Sequence, residues 1–114
     1  MEDEFEGMLK FDTLDASEQT LLKVHARFSE FSTQGDPKGM QRCRELILKG
    51  KKRAQMIARN KKVHSGKRAE KAEIAQWFTV WLQTPDIFVD WLILRKRSRE
   101  FQEHFGGGGE EHSP

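Results

Sequence analysis

Cysteine is almost missing from this chain. Cys43 stands alone among 114 residues, so no intrachain disulfide can form and nothing calls for an oxidising compartment. An apolar leader is missing as well. The chain opens M-E-D-E-F-E-G, and no secretory signal is expected. The short patterns that carry chemistry are also lacking. There is no Gly-rich phosphate loop between a strand and a helix, no H-E-x-x-H, no serine nucleophile elbow and no thiol pair. His25, His64, His104 and His112 lie far apart, without metal-ligand partners at helical spacing. His104 with Glu110, Glu111 and His112 would straddle Gly106 to Gly109, which is too loose a frame for a metal. The expectation is a non-enzymatic protein without cofactor or metal.

Residues 74–94 have the length of a membrane span, about 20 residues. They contain Gln76, Gln83, Asp86 and Asp90, and Thr84-Pro85-Asp86 cuts the run in two. Acids in mid-bilayer are costly, so this run is expected to be two helices packed through aromatics.

Acidic residues are scarce in one place. From Lys38 to Lys71 there are thirteen Lys or Arg and only two acids, Glu45 and Glu70, a net charge of +11. Residues 1–36 carry −6 and residues 72–114 carry −3, so the chain's total of +2 hides a strong segregation. A block this basic repels itself and calls for an anionic partner, although a merely solvated face is the plainer alternative. The candidate nucleic-acid-binding residues are Arg42, Arg44, Lys49, Lys51, Lys52, Arg53, Arg59, Lys61, Lys62, Lys67 and Arg68. The block holds no aromatic side chain for base stacking. Contacts to phosphate and to groove shape are therefore expected, with little base specificity. Arg-rich helices suit structured RNA where bulges widen its deep groove, which puts RNA slightly ahead of DNA.

The periodicity predicts a small all-α domain of four helices in helical hairpins. The first helix covers Ala16 to Ser32, with Asp15 as cap and Glu18 in capping-box position. Leu21, Val24, Phe28 and Phe31 form its apolar stripe, His25 lies beside it, and Gln34-Gly35 ends it. Asp36 and Pro37 open a second helix. Its narrow seam is Met40, Cys43, Ile47, Gly50, Ala54 and Ile57. Gly50 and Ala54 permit a close approach, and Cys43 reads as a small buried hydrophobe. A third helix spans Lys67 to Gln83, with Ser65 as a possible cap. Thr84 caps a fourth, from Pro85 to about His104, whose apolar front half must be covered. Residues 15–105 form one domain. Residues 1–14, with isolated Phe5, Met8, Leu9, Phe11 and Leu14, are expected as a flexible acidic arm. The alternative is that the arm folds back, its Phe and Leu residues serving as apolar anchor and its acids screening the basic block. Residues 106–114 are expected as a disordered Gly-rich tail.

Two other functions fit. A basic helix with an apolar seam suits a protein-interaction or oligomerisation module. Trp77, Trp81, Phe88 and Trp91 would then give a homodimer its interface, although their apolar company also suits a core. A divergent helix-turn-helix is the narrower alternative, with Glu73 to Val80 followed by the helix from Pro85. Its acidic start, Asp86 and Asp90, is wrong for DNA contact. Lys49 to Arg53, K-G-K-K-R, could be read as a nuclear signal, and a cytoplasmic or nuclear location is expected.

Overall fold

The computed structural model describes Phe5 and residues 7–106, with backbone alone at 105 and 106. Most of the expected tail, and residues 1–4 and 6 of the arm, lie outside the described residues. The predicted four-helix, all-α architecture is what the structure has, with no strand among the described residues. The helices are α1 (Leu14–Gln34), α2 (Pro37–Arg59), α3 (Ser65–Gln83) and α4 (Pro85–Phe101). A turn of π-helix over Gln102–Gly106 follows α4 directly, where a continuous α-helix to His104 was expected.

The connections are short because each has a residue suited to it. Gly35 adopts φ 68°, the left-handed region that closes helices, and its N–H reaches the carbonyls of Phe31 and Ser32. Asp36 then caps α2 by accepting the Gly39 N–H at 3.0 Å, and Pro37 follows at the first helical position. These features were predicted. Three caps differ from expectation. Thr13 caps α1 instead of Asp15, accepting the Ala16 N–H at 3.0 Å. Glu18 cannot close a capping box, because it is turned inward to Arg95 and Arg99. His64 replaces Ser65 at the start of α3, its Nδ1 accepting the Gly66 N–H at 3.0 Å. Thr84 makes no side-chain cap to α4. It is the sole residue between α3 and α4, and its hydroxyl donates back to the Val80 carbonyl at 3.2 Å.

Leu21, Val24, Phe28 and Phe31 of α1 are buried, as their spacing required. So are Cys43, Ile47, Gly50 and Ala54 of α2. The thin seam of α2 lets large side chains come close. A Cβ at Gly50 would stand 2.6 Å from the Phe78 ring and 2.8 Å from Leu9 Cδ1. At Gly39 it would stand 2.3 Å from the Phe31 ring. From α3 come Ile74, Ala75, Trp77, Phe78 and Trp81, and from α4 come Phe88, Val89 and Leu92. Burying each of the larger ones stabilises by about 1.5–3 kcal/mol.

The described part of the arm folds back onto this core. Phe5 is buried, and Met8, Leu9, Phe11 and Leu14 pack against the same cluster. Polar groups fasten it. The Lys71 ammonium, itself buried, donates to the carbonyls of Phe11 and Asp12. Burial pushes its pKa below the ordinary lysine value, and nearby Lys67 adds to that. Glu70 accepts the Leu14 N–H at 3.1 Å, and Thr20 Oγ1 accepts the Lys10 N–H at 2.9 Å. Two members of the basic block, Lys71 and its acid neighbour Glu70, are thus committed to holding the arm.

Candidate nucleic-acid interface

At about 100° per residue, the buried positions of α2 occupy less than a third of its circumference. The basic residues must therefore spread over the remainder, and they do so along two edges. Lys38, Arg42, Lys49 and Arg53 follow one edge at helical spacing, with Lys52 on the crest. Arg44, Lys51 and Arg59 follow the other. The 23 residues of α2 span about 35 Å, close to one turn of a nucleic-acid duplex. Lys61 and Lys62 continue from its end, in a turn fixed by Asn60 Oδ1 accepting the Lys62 N–H at 2.9 Å. Lys67 stands exposed on the first turn of α3, and Arg68 is half-buried beside it.

These cations differ in what they touch. The Arg42 guanidinium lies over the Phe5 ring at 4.8 Å and that of Arg44 over Phe28 at 5.2 Å, so both charged heads are stacked on core aromatics. Arg68 Nε is buried without a hydrogen-bond partner among the described residues. Lys49, Lys51, Lys52, Arg53, Arg59, Lys61, Lys62 and Lys67 form no ion pair with any described residue. The only acid on α2, Glu45, reaches no further than Gln41 Nε2 at 3.4 Å.

The basic cluster of α4 is arranged otherwise. Glu18 is 1% exposed and accepts from Arg95 at 3.0 Å and from both terminal nitrogens of Arg99 at 3.2 and 3.1 Å. These pairs join α4 to α1. The first turns of α4 present Asp86, Ile87 and Asp90 to solvent. With an acidic, apolar start and two of its arginines engaged, α4 offers little to a DNA groove, and the helix-turn-helix reading gains nothing from this geometry.

The four aromatic residues expected at a protein interface separate clearly. Trp77, Trp81 and Phe88 lie in the core, 5%, 1% and 5% exposed, although Trp77 and Phe88 still line an open apolar cleft beside Trp91. Trp81 is further held by its indole N–H donating to His25 Nδ1 at 3.1 Å. Only Trp91 keeps an open face, at 45%. His25 in turn places Nε2 3.2 Å from Asp86. Burial lowers its pKa below the ordinary value, while Asp86 and Asp90 act in the opposite direction.

Two features of the basic face were not foreseen. Met56 is 71% exposed among the cations. A groove of about 220 Å³ runs between α2 and α3, bounded by Gln55, Ala58, Arg59, Ala72, Gln76 and Thr79. Its signal in the sequence was faint: alanines on two helices whose facing registers only the fold supplies. The groove places two carboxamides beside an arginine, which suits hydrogen bonding to sugar or base edges. No group of three or more His, Cys, Asp or Glu among the described residues could hold a metal. No helix among them is long and apolar enough to cross a membrane. Comparisons with protein-family models, with curated proteins and with solved structures give no match.

Proposed function

We propose that this chain is a non-enzymatic nucleic-acid-binding protein. The outward half of α2, the turn over residues 60–64 and the start of α3 meet the phosphate backbone. The observation that carries the reading is the contrast between the two basic clusters. Arg95 and Arg99 of α4 have a partner inside the fold, whereas Lys49, Lys51, Lys52, Arg53, Arg59, Lys61 and Lys62 form no ion pair with any described residue. Cations that the fold does not use for its own cohesion are available to release counterions from a polyanion. Structured RNA is the first choice of ligand. The groove beside Arg59 offers Gln55 and Gln76 to groups such as the 2′-hydroxyl.

The test is a salt titration of binding to RNA and DNA probes, single- and double-stranded, by fluorescence anisotropy. Four to six phosphate contacts along one edge of α2 predict a log–log slope of about −4 to −5 on duplex DNA. Replacing Lys49, Lys52 and Arg53 together with Glu should reduce that slope by about three and weaken every probe alike. Helicity should stay unchanged, since all three are exposed. Binding that keeps its slope after the triple reversal would remove α2 as the site. Failure of all probes at low salt would remove the function.

A further inference from the structure

On the side of the molecule formed by α4, the surface changes character. Ile87, Trp91 and Leu94 are 71%, 45% and 64% exposed. Their spacing of four and three puts them on one stripe of the helix, which Ser98 and Phe101 continue. The three side chains together expose apolar surface on the order of 400 Å², the size at which a patch on a monomer usually has a function. Trp91 is not loose: it stacks on Phe88 at 5.4 Å and meets Trp77 edge-on at 5.9 Å. Beside it lies a shallow, almost purely apolar cleft of about 400 Å³ between Trp77, Val80, Thr84, Ile87, Phe88 and Trp91. A rigid aromatic anchor next to an apolar hollow is the usual make-up of an interface centre.

The charges flanking this stripe say what covers it. The first half of α4 carries only acids, Asp86 and Asp90, and the second half carries Arg95, Lys96, Arg97 and Arg99 against Glu100. Asp90 and Arg97 are both exposed and seven residues apart, so they flank the stripe on the same side. A helix with this polarity is complementary to itself when turned end for end. We infer that α4 is the isologous interface of an antiparallel homodimer, with a two-fold axis near Leu94. About that axis Leu94 meets Leu94, Ile87 of each copy faces Phe101 of the other, and Asp90 of each copy lies near Arg97 of the other. The opposed helix dipoles favour the same arrangement. The stripe supplies about half of the roughly 800 Å² per partner of a standard interface, and the flanking polar residues make up the rest. The inference is independent of the nucleic-acid reading, because α4 and the outward face of α2 share none of the residues named for either role.

Sedimentation of the full chain over a range of concentrations tests it. The expected result is reversible association to twice the chain's 13.3 kDa. Leu94→Glu should raise the dissociation constant by at least about a hundredfold, because the two-fold brings both new carboxylates together. Leu94 is largely exposed, so circular dichroism should show unchanged helicity. Orientation is tested separately. Asp90→Arg alone should weaken the dimer, and adding Arg97→Asp should restore it, since an antiparallel pair then regains both contacts. A monomer at every concentration would overturn the inference, and so would a dimer indifferent to Leu94→Glu. A double charge swap that fails to recover association would overturn the antiparallel arrangement.

Discussion

Glu18 offers a quantitative test of how the fold is held together. Its side chain is 1% exposed, while those of its partners Arg95 and Arg99 are 35% and 37% exposed. This inequality of burial sets the order of three variants. Removing both arginines by Ala leaves a carboxylate in the interior with no cation, a loss of about 3–5 kcal/mol. Removing the carboxylate by Glu18→Leu leaves two arginines that can turn to water, and an apolar side chain of similar volume fills the space. That change should cost about 1 kcal/mol or less. The triple variant, Leu at 18 with Ala at 95 and 99, no longer buries a charge and should recover most of the loss. It should not recover all of it, because Arg95 also lies over the Trp77 ring at 5.1 Å, a contact of about 0.5–1 kcal/mol. Urea unfolding followed by circular dichroism measures each member, and a constant m-value shows that the same transition is compared. If Glu18→Leu costs as much as the double arginine variant, the asymmetry argument fails. The same holds if the triple variant is no more stable than the double, since coupling between the sites is what the cycle measures.

Two further outcomes follow from the packing of α2 and the setting of His25. Gly50→Ala improves helix propensity by about 1 kcal/mol, but its methyl group would meet the Phe78 ring at 2.6 Å. Overpacking of that kind costs about 1–3 kcal/mol. The net effect should be destabilising, by up to about 2 kcal/mol in chemical denaturation, and a gain in stability would show that the α2–α3 contact is looser than described. His25 has a folded pKa below its ordinary 6.5, so the folded chain disfavours the imidazolium. Its contribution to stability is fully present above pH 6.5 and is lost as pH falls below it towards the folded value, because the unfolded chain takes up the proton first. Unfolding midpoints above and below pH 6.5 should therefore converge in His25→Gln relative to the parent. A parent that becomes more stable on acidification would mean that the attraction of Asp86, which is 86% exposed and so well screened, outweighs burial.

Much of the fold was legible because it is written in local spacing. The 3-4-3 stripe of Leu21, Val24, Phe28 and Phe31 is buried as a stripe, and Asp36-Pro37 and Gly35 mark helix ends by backbone chemistry that needs no tertiary contact. The misreadings are of two kinds: local ones, where Thr13 and His64 cap in place of Asp15 and Ser65, and ones that depend on packing between helices. Glu18 has the spacing of a capping residue, but arginines 77 and 81 positions away draw it into the interior. Thr84 has the composition of a cap, but one residue must serve two helix ends at once. The apolar company of Trp77 and Trp81 favoured a core over the interface also considered for them and for Phe88, and the packing of α1, α3 and α4 buries all three. At the candidate site the basic block was plain from composition. Which of its members remain outward was not, because that depends on where the arm runs and what Lys71 and Glu70 fasten.

The functional weight therefore rests on a distinction that charge counting misses. Both α2 and α4 carry dense clusters of Lys and Arg, and on sequence alone both are candidates for a polyanion. In α4 two of the four cations are hydrogen-bonded to one buried carboxylate and join the helix to α1. In α2 the seam is so thin that the cations line the rest of the helix, including Lys49 and Arg53 at i,i+4, where like charges repel. Glu45 is the only acid there to offset them. Cohesion explains Arg95 and Arg99 of α4, which bind the buried Glu18 carboxylate. It does not explain Lys49, Lys51, Lys52, Arg53 and Arg59 of α2, which repel one another along their own helix and form no ion pair with any described residue. In the proposed reading, this stability cost is offset from outside, by an anion long enough to span about six turns of helix, roughly the length of one duplex turn.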